Sequence, residues 1–327
     1  MSETDAITKE TRQSFGKWWI ISGILFAFVL VLFAIAIPFL QNYRAIQRIN
    51  VMGGKIGTVN KIPGTTGLKY PTPFMSVILV DLESTLIRDN DLACLERLSN
   101  LERLNLIHTK ITDTGLAYLK GMENLKYLFL DDTDVTDIGL LHLKKIADME
   151  RLSLRNTKVT DAGLNHIKGM KELQYLILGH TEVTDSGLIN LKGMPNLQGL
   201  FLQHTRVTDA GLVQLKCLMN LYSLNLNQTE VTDTGLIHLV GLTNISTLAL
   251  EHTSVTDAGL IPLNKMINLK LLFLNNTDIS DAGLNYLKGN TNLQYLELNS
   301  TRVTAEGIKE LEAVLPKCEI HWSSAVP

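Results

Sequence analysis

The sequence predicts a right-handed α/β solenoid, with a parallel sheet on its concave side and short helices on its convex side, behind one N-terminal transmembrane helix. Two observations carry this reading. A pair of leucine columns returns every 24 residues over most of the chain, and the run Trp18 to Leu40 holds no charge across 23 positions.

The amino-terminal tail, residues 1–17, is short and polar, with Lys9, Arg12 and Lys17. Residues 18–40 follow as one apolar stretch. At about 1.5 Å per residue it spans roughly 34 Å, enough for a hydrocarbon core of about 30 Å. It is longer than the apolar part of a cleaved signal peptide, although Ala34-Ile35-Ala36 has the small-residue look of a cleavage site. Trp18, Trp19 and Tyr43 stand where interfacial aromatics belong. Arg44, Arg48 and Lys55 nearly balance the basic residues ahead of the span, so charge leaves orientation open. The short polar tail before a single span has the arrangement of a signal anchor, which places the bulk of the chain outside the cytoplasm, on the periplasmic or cell-envelope side.

Residues 41–77 do not repeat and are expected to form a connector and cap. Ala45, Ile46, Ile49 and Met52 have helical spacing, and Gly53-Gly54 stops that helix. Turns are marked by Pro63 to Gly67 and by Pro71-Thr72-Pro73. The apolar, β-branched run Ser76 to Leu82 is expected to be the first strand of the sheet.

From 78 to 327 the repeat takes over. Its first leucine column runs Leu104, Leu128, Leu152, Leu176, Leu200, Leu224, Leu248, Leu272, Leu296, and its second runs in step from Leu106 to Leu298. A threonine follows each pair, from Thr109 to Thr301, where Asn or Cys is commonly found. The pattern Leu-x-x-Leu-x-Leu-x-x-Thr-x-Val at this period is the signature of a leucine-rich repeat.

One unit shows the physics. In Tyr127-Leu128-Phe129-Leu130-Asp131 alternate side chains point to opposite faces, so the leucines enter the core while Tyr127, Phe129 and Asp131 face out. The Thr133 hydroxyl is expected to donate to a carbonyl of the next coil. Either Thr136 or Asp137 is placed to cap a short helix from Ile138 to Leu143. A lysine column (Lys120, Lys144, Lys168, Lys192, Lys216, Lys288) lies at the negative end of these helices, often before a stop glycine such as Gly121 or Gly169. At the far end Ile320 and Trp322 stand 24 residues after Leu296 and Leu298 and make a final strand. Cys94, Cys217 and Cys318 are odd in number and fall in distant repeats, so they read as free thiols.

The run Thr181 to Met194, TEVTDSGLINLKGM, resembles the threonine-rich repeat class of bacterial leucine-rich-repeat proteins over about residues 78–322. Members with a short cytoplasmic tail, one membrane helix, a Gly-Gly element like Gly53-Gly54 and a Leu-Pro-x-Cys end like Leu315 to Cys318 are similar throughout. The resemblance implies a membrane-tethered, non-enzymatic binding scaffold. Repeats specify a fold strongly and a ligand hardly at all.

Composition excludes little beyond nucleic acid, since a net charge of −3 gives no basic excess. No Gly-x-Ser-x-Gly elbow, phosphate loop or His-Glu-x-x-His occurs, so no catalytic residues are assigned. No cofactor is expected. His180 and His204, in one column of adjacent coils, could hold a transition metal with Gln203 or Glu182, but Asp132, Asn156, Gln228 and Asn276 fill the same column, so any polar residue serves there. The Asp column, Asp113 to Asp281, suggests calcium less than it suggests helix capping.

What varies without a reason in the fold is the outward face of the strands. Tyr127, Phe129, Tyr175, Ile177 and Phe201 form an apolar strip there, interrupted by Arg151 and Ser153 and flanked by Arg103 and Arg155. Phe273 and Tyr295 continue it, and Glu251 and Glu297 lie toward the C-terminal end. Exposed aromatics and arginine dominate interface energetics, so these residues are expected to hold a protein or peptide, apolar at its centre and acidic toward the N-terminal half. The competing reading is a structural spacer or self-associating envelope scaffold, in which the rings merely stack along the sheet.

Overall fold

The computed structural model describes residues 40–60 and 75–323 together with Phe26, Val29, Leu30 and Ile37. The expected tail 1–17, nearly all of the Trp18–Leu40 span, and the turns at Pro63–Gly67 and Pro71–Pro73 lie outside these residues. Among the described residues no helix is long and apolar enough to cross a membrane.

Twelve strands among the described residues form one sheet in strict sequence order. From β2 (Met75–Asp81) through β3 (Arg103–Asn105) to β12 (Glu319–His321) the pairing is parallel, and each residue meets the one 24 positions on, as Leu104 meets Leu128 and Leu296 meets Ile320. The period of the sequence is thus the register of the sheet. The leucine columns have no exposed surface, from Leu104 and Leu106 to Leu296 and Leu298. Burying a leucine contributes roughly 1.5–3 kcal/mol, so the array as a whole rests on these columns.

The first strand differs from expectation. An extra strand, β1 (Lys55–Asn60), pairs antiparallel with β2 and closes the sheet edge, so the run at Ser76 is second. Helical residues 40–51 cap the same end, burying Ala45, Ile46 and Ile49 against the first coil. The turn between them needs its two glycines for different reasons. Gly53 takes φ +82°, where side chains are strained, and a Cβ on Gly54 would collide with Leu82 and Ile49. Gly54 N–H donates to Ile49 O at 2.9 Å, closing the helix end.

The Thr133 and aspartate columns do not play the roles expected of them. Thr133 Oγ1 donates 2.6 Å to Leu130 O within its own coil, and the same bond recurs at Thr205 with Leu202 O at 2.7 Å. A residue three positions back is simply the nearest free carbonyl, because the strand carbonyls between coils are already taken by the ladder. The coil-to-coil tie belongs to Asp. Asp113 Oδ1 accepts from Thr136 N–H at 2.7 Å and its Oδ2 accepts from Thr136 Oγ1 at 2.7 Å, across 23 residues. Thr136, with extended backbone, caps the helix Asp137–Leu143 by accepting from Ile138 N–H at 3.3 Å. Asp137 is the first residue of that helix, past the cap position, and reaches on to Thr160. The glycine of each Thr-Asp-x-Gly exists for the same contact: a Cβ on Gly139, Gly163 or Gly235 would overlap the carboxylate of the preceding coil. Asparagines add a second tie on the turn before the strand, such as Asn124 to Ser99 O at 2.7 Å and Asn220 to Pro195 O at 2.9 Å.

The stop glycines are not left-handed; Gly53 is the one described glycine at positive φ. The left-handed residues are instead the polar column after the strand, Ser84, His108, Asp132, Asn156, His180, His204, Gln228, His252, Asn276 and Ser300, all with φ between 52° and 57°. Polar side chains, Asn and His among them, tolerate that conformation best, which accounts for the makeup of this column. Each turns its N–H to the next coil, as His180 does to Gln203 O at 2.9 Å.

Candidate functional site

Strand alternation leaves three outward residues per coil, and their side chains stack on those of neighbouring strands about 5 Å away. In the N-terminal half the stack alternates rings and guanidinium groups. Phe129 lies between Arg103 and Arg151, whose guanidinium carbons stand 4.8 and 5.7 Å from its ring centroid. Arg151 in turn covers Tyr175 at 5.1 Å. Arg151 therefore does not interrupt the strip, as expected, but joins it through cation–π contact. Ser153, the other expected interruption, is buried and donates to Asp131. Asp131 also accepts from Arg155 N–H at 2.8 Å; burial raises its pKa against the pull of these bonds.

Tyr127 and Tyr175 hold their hydroxyls at fixed points. Tyr127 donates to Glu150 at 2.7 Å, and that bond to a carboxylate raises its pKa. The hydroxyls of Tyr175 and Tyr222 meet at 2.8 Å, with the rings edge to face. Neither Glu150 nor Tyr222 belongs to the expected strip, because both stand just before their strands. Gly199 lets two rings converge: a Cβ there would strike both Tyr175 and Phe201. Ile177 is a correction. It retains 9% exposure and is buried, since it lies between Ser153 and Phe201 on adjoining strands and is covered.

Most of the expected residues fall into two groups, and Arg155, Ile177 and Phe201 belong to neither. Tyr127, Phe129, Arg151 and Tyr175 line one hollow of about 300 Å³ with Arg103, Glu150 and Gln174. Phe273 and Tyr295 form a separate tilted pair at 5.7 Å, and Tyr295 stacks on His321 at 5.0 Å. Between these ends the outward polar groups satisfy one another. Glu251 accepts from Asn227 at 2.5 Å and from Asn275, Asn275 also donates to Glu297, and Tyr295 donates to Glu297 at 2.7 Å.

The imidazoles of His180 and His204 stack face to face, centroids 3.9 Å apart and 23° from parallel. Their nitrogen lone pairs lie in the ring planes and run side by side, so they do not converge on one ion. Burial, then the neighbouring His180, lowers the pKa of His204. Among the described residues no group of three or more His, Cys, Asp or Glu is placed to hold a metal. All three cysteines are free, and burial pushes the Cys318 thiol up to about 11.

On the helical side, Ile189, Val213, Ile237 and Ile261 occupy one column of consecutive coils and are all exposed, Ile237 at 61%. A hollow of about 430 Å³ lies among Ile237, Val240, Ile261 and Pro262. Aliphatic spacing alone reads as core, so only the helix's orientation distinguishes this column from the buried one.

A leucine-rich-repeat family model matches residues 97–120 and 289–311. The search of curated proteins finds no match. Among solved structures, an internalin from Listeria monocytogenes is similar at 20% identity and TM-score 0.50, over 76% of this chain and 87% of its own. A TDR receptor is similar at 16% identity and TM-score 0.51, over 76% of this chain and 48% of its own. These likenesses show the fold. Strand, turn and short helix in every 24-residue coil, with a parallel sheet, give this chain the leucine-rich-repeat fold.

Proposed function

We propose that the protein binds a protein or peptide on the concave, outward face of its sheet, without catalysis, while Trp18–Leu40 holds it in a membrane with the solenoid outside the cytoplasm. The observation that carries the binding is the arginine-and-ring stack from Arg103 to Tyr175. Nothing in the repeat requires these large side chains, since Ser223 and Asn225 occupy the same columns in another coil. Aromatic and arginine side chains gathered in one place are the composition of interface centres.

Phe129→Ser together with Phe201→Ser tests the reading. Crosslinking to the full chain in its native membrane should lose its specific adduct while the melting temperature stays put. A large fall in melting temperature with the adduct retained would instead favour a structural spacer, whose rings only stiffen the sheet. The membrane reading rests on the uncharged 23-residue run. Protease added to intact spheroplasts should digest the solenoid; protection until the inner membrane is broken would reverse the orientation.

A further inference from the structure

We propose that the hollow between Arg103 and Arg151 seats a carboxylate side chain of an acidic peptide segment; this rests on the sheet face being the binding surface. Three observations converge. The first is uncompensated charge. Some basic side chains of the solenoid meet acids: Lys158 with Asp134 at 2.7 Å, Arg206 with Glu182 at 2.5 Å, Arg302 with Asp278 at 2.9 Å. Among the described residues Arg103 and Arg151 have no such partner, although both lie within 6 Å of one ring centroid. Two like charges flanking a single ring disfavour each other, and one anion between them would offset that.

The second is an open hydrogen-bonding valence. Arg151 Nε is buried and bonds to nothing, and Arg151 lines a hollow of about 300 Å³. The Arg151 guanidinium packs against Phe129 and Tyr175 with Nε unpartnered, and a guanidinium matches a carboxylate in bidentate fashion. The third is that the acid already present is occupied. Glu150, which lines the same hollow, accepts from Tyr127 at 2.7 Å and meets Lys126 at 3.4 Å. Its charge is matched by Lys126, so the two arginines leave the hollow positive. The C-terminal half offers no such site, because Glu251 and Glu297 are tied to Asn227, Asn275 and Tyr295.

The test uses the full chain on an array of nonapeptides of degenerate flanks, whose central residue is Glu, Asp, Gln, Asn or phosphoserine. Glu and Asp peptides should be retained roughly tenfold better than their amides, as the loss of a charge-assisted hydrogen bond implies. Arg151→Gln should erase that preference with its melt unchanged, and if it melts early, Arg103→Gln serves in its place. Arg206→Gln removes the same charge elsewhere and should leave the preference intact. Equal retention of Glu and Gln, no retention of acidic peptides, a stronger preference for phosphoserine, or equal loss in Arg206→Gln overturns the proposal. The underlying reading fails separately: acidic peptides retained equally by the Phe129→Ser, Phe201→Ser variant would bind off the sheet face. Lost discrimination with retention still abolished by that variant leaves the face a binding surface and removes only the carboxylate seat.

Discussion

Replacing Asp209 by Ala removes one coil-to-coil tie and should shift the urea midpoint of the whole array. Its Oδ1 accepts from Thr232 N–H at 2.7 Å, and its Oδ2 accepts from Thr232 Oγ1 at 2.6 Å and from Thr234 Oγ1. Hydrogen bonds to a charged group contribute about 1.5–3 kcal/mol each. Two of the three donors are hydroxyls that can turn to water at this half-buried site, so the net loss is about 3 kcal/mol. With a urea slope of about 3 kcal/mol per molar, the midpoint falls by about 1 M. Asp209→Asn keeps an acceptor for the N–H and a polar group for the hydroxyls, and should fall by only about 0.3 M. Burial pushes the Asp209 pKa up, but the hydrogen bonds from Thr232, Thr234 and Gly235 overcome it and leave it lowered. A lowered folded pKa means stability that is fully present above the unfolded value of about 3.9 and lost as pH falls through the folded value. The gap between wild type and Asp209→Ala should therefore be constant from pH 5 to 7 and narrow only below about pH 4. A midpoint shift under about 0.3 M for the Ala variant, or a gap that closes as pH rises, would refute the tie.

Other outcomes follow from the same contacts. Gly235→Ala drives a methyl into the Asp209 carboxylate and should cost about 1–3 kcal/mol in the same melts, where an exposed loop glycine such as Gly241, with open space around it, should cost little. Thr205→Val loses one hydrogen bond within its own coil, about 1 kcal/mol, and should leave the neighbouring coils as protected from amide exchange as before. Leu200→Asp puts a charge where no surface is exposed and should cost several kcal/mol, seen as loss of the cooperative transition. Asp131 is the opposite case to Asp209: its folded pKa is raised by burial, so stability falls as pH climbs through that value. Asp131→Asn keeps both donors on one oxygen and should be neutral to slightly stabilising at pH 7, by less than about 1 kcal/mol, with the pH dependence flattened.

The leucine columns were legible because burial acts on every coil alike, so period and register coincide at Leu104, Leu128 and their successors. Thr133 and Asp113 were not assigned correctly because both are short hydrogen-bonding side chains that recur at the same period. Periodicity says that a residue is needed and does not say which atoms it reaches. The outward face was legible as a set of faces, since alternation is enough to turn Phe129 and Tyr175 out. Its internal arrangement depends on neighbours one coil away: Ile177 is covered by what stands beside it, and Tyr175 finds Tyr222 across 47 residues. That Arg103 and Arg151 go without an ion pair was likewise invisible, because Glu150 lies beside Arg151 in sequence yet pairs with Lys126 and Tyr127.

The Asp-to-Thr tie has a direction, and the two ends of the array lack complementary halves of it. Asp89 reaches forward to Thr112, with N–H at 2.8 Å and hydroxyl at 2.7 Å, yet the residue in its own coil that would receive a tie from behind is Arg88. At the far end Thr304 receives from Asp281 at 2.8 and 2.6 Å, but the position that would reach onward is Ala305. The solenoid is in this respect a head-to-tail polymer terminated at both ends by substitution. Beneath the caps, the end coils offer a cation at Arg88 and a methyl at Ala305, where every internal junction has a carboxylate against a hydroxyl and an N–H. Growth by end addition is thereby disfavoured in the covalent sequence itself, while a whole 24-residue coil inserted between Thr136 and Ser280 would meet a matching partner on both sides.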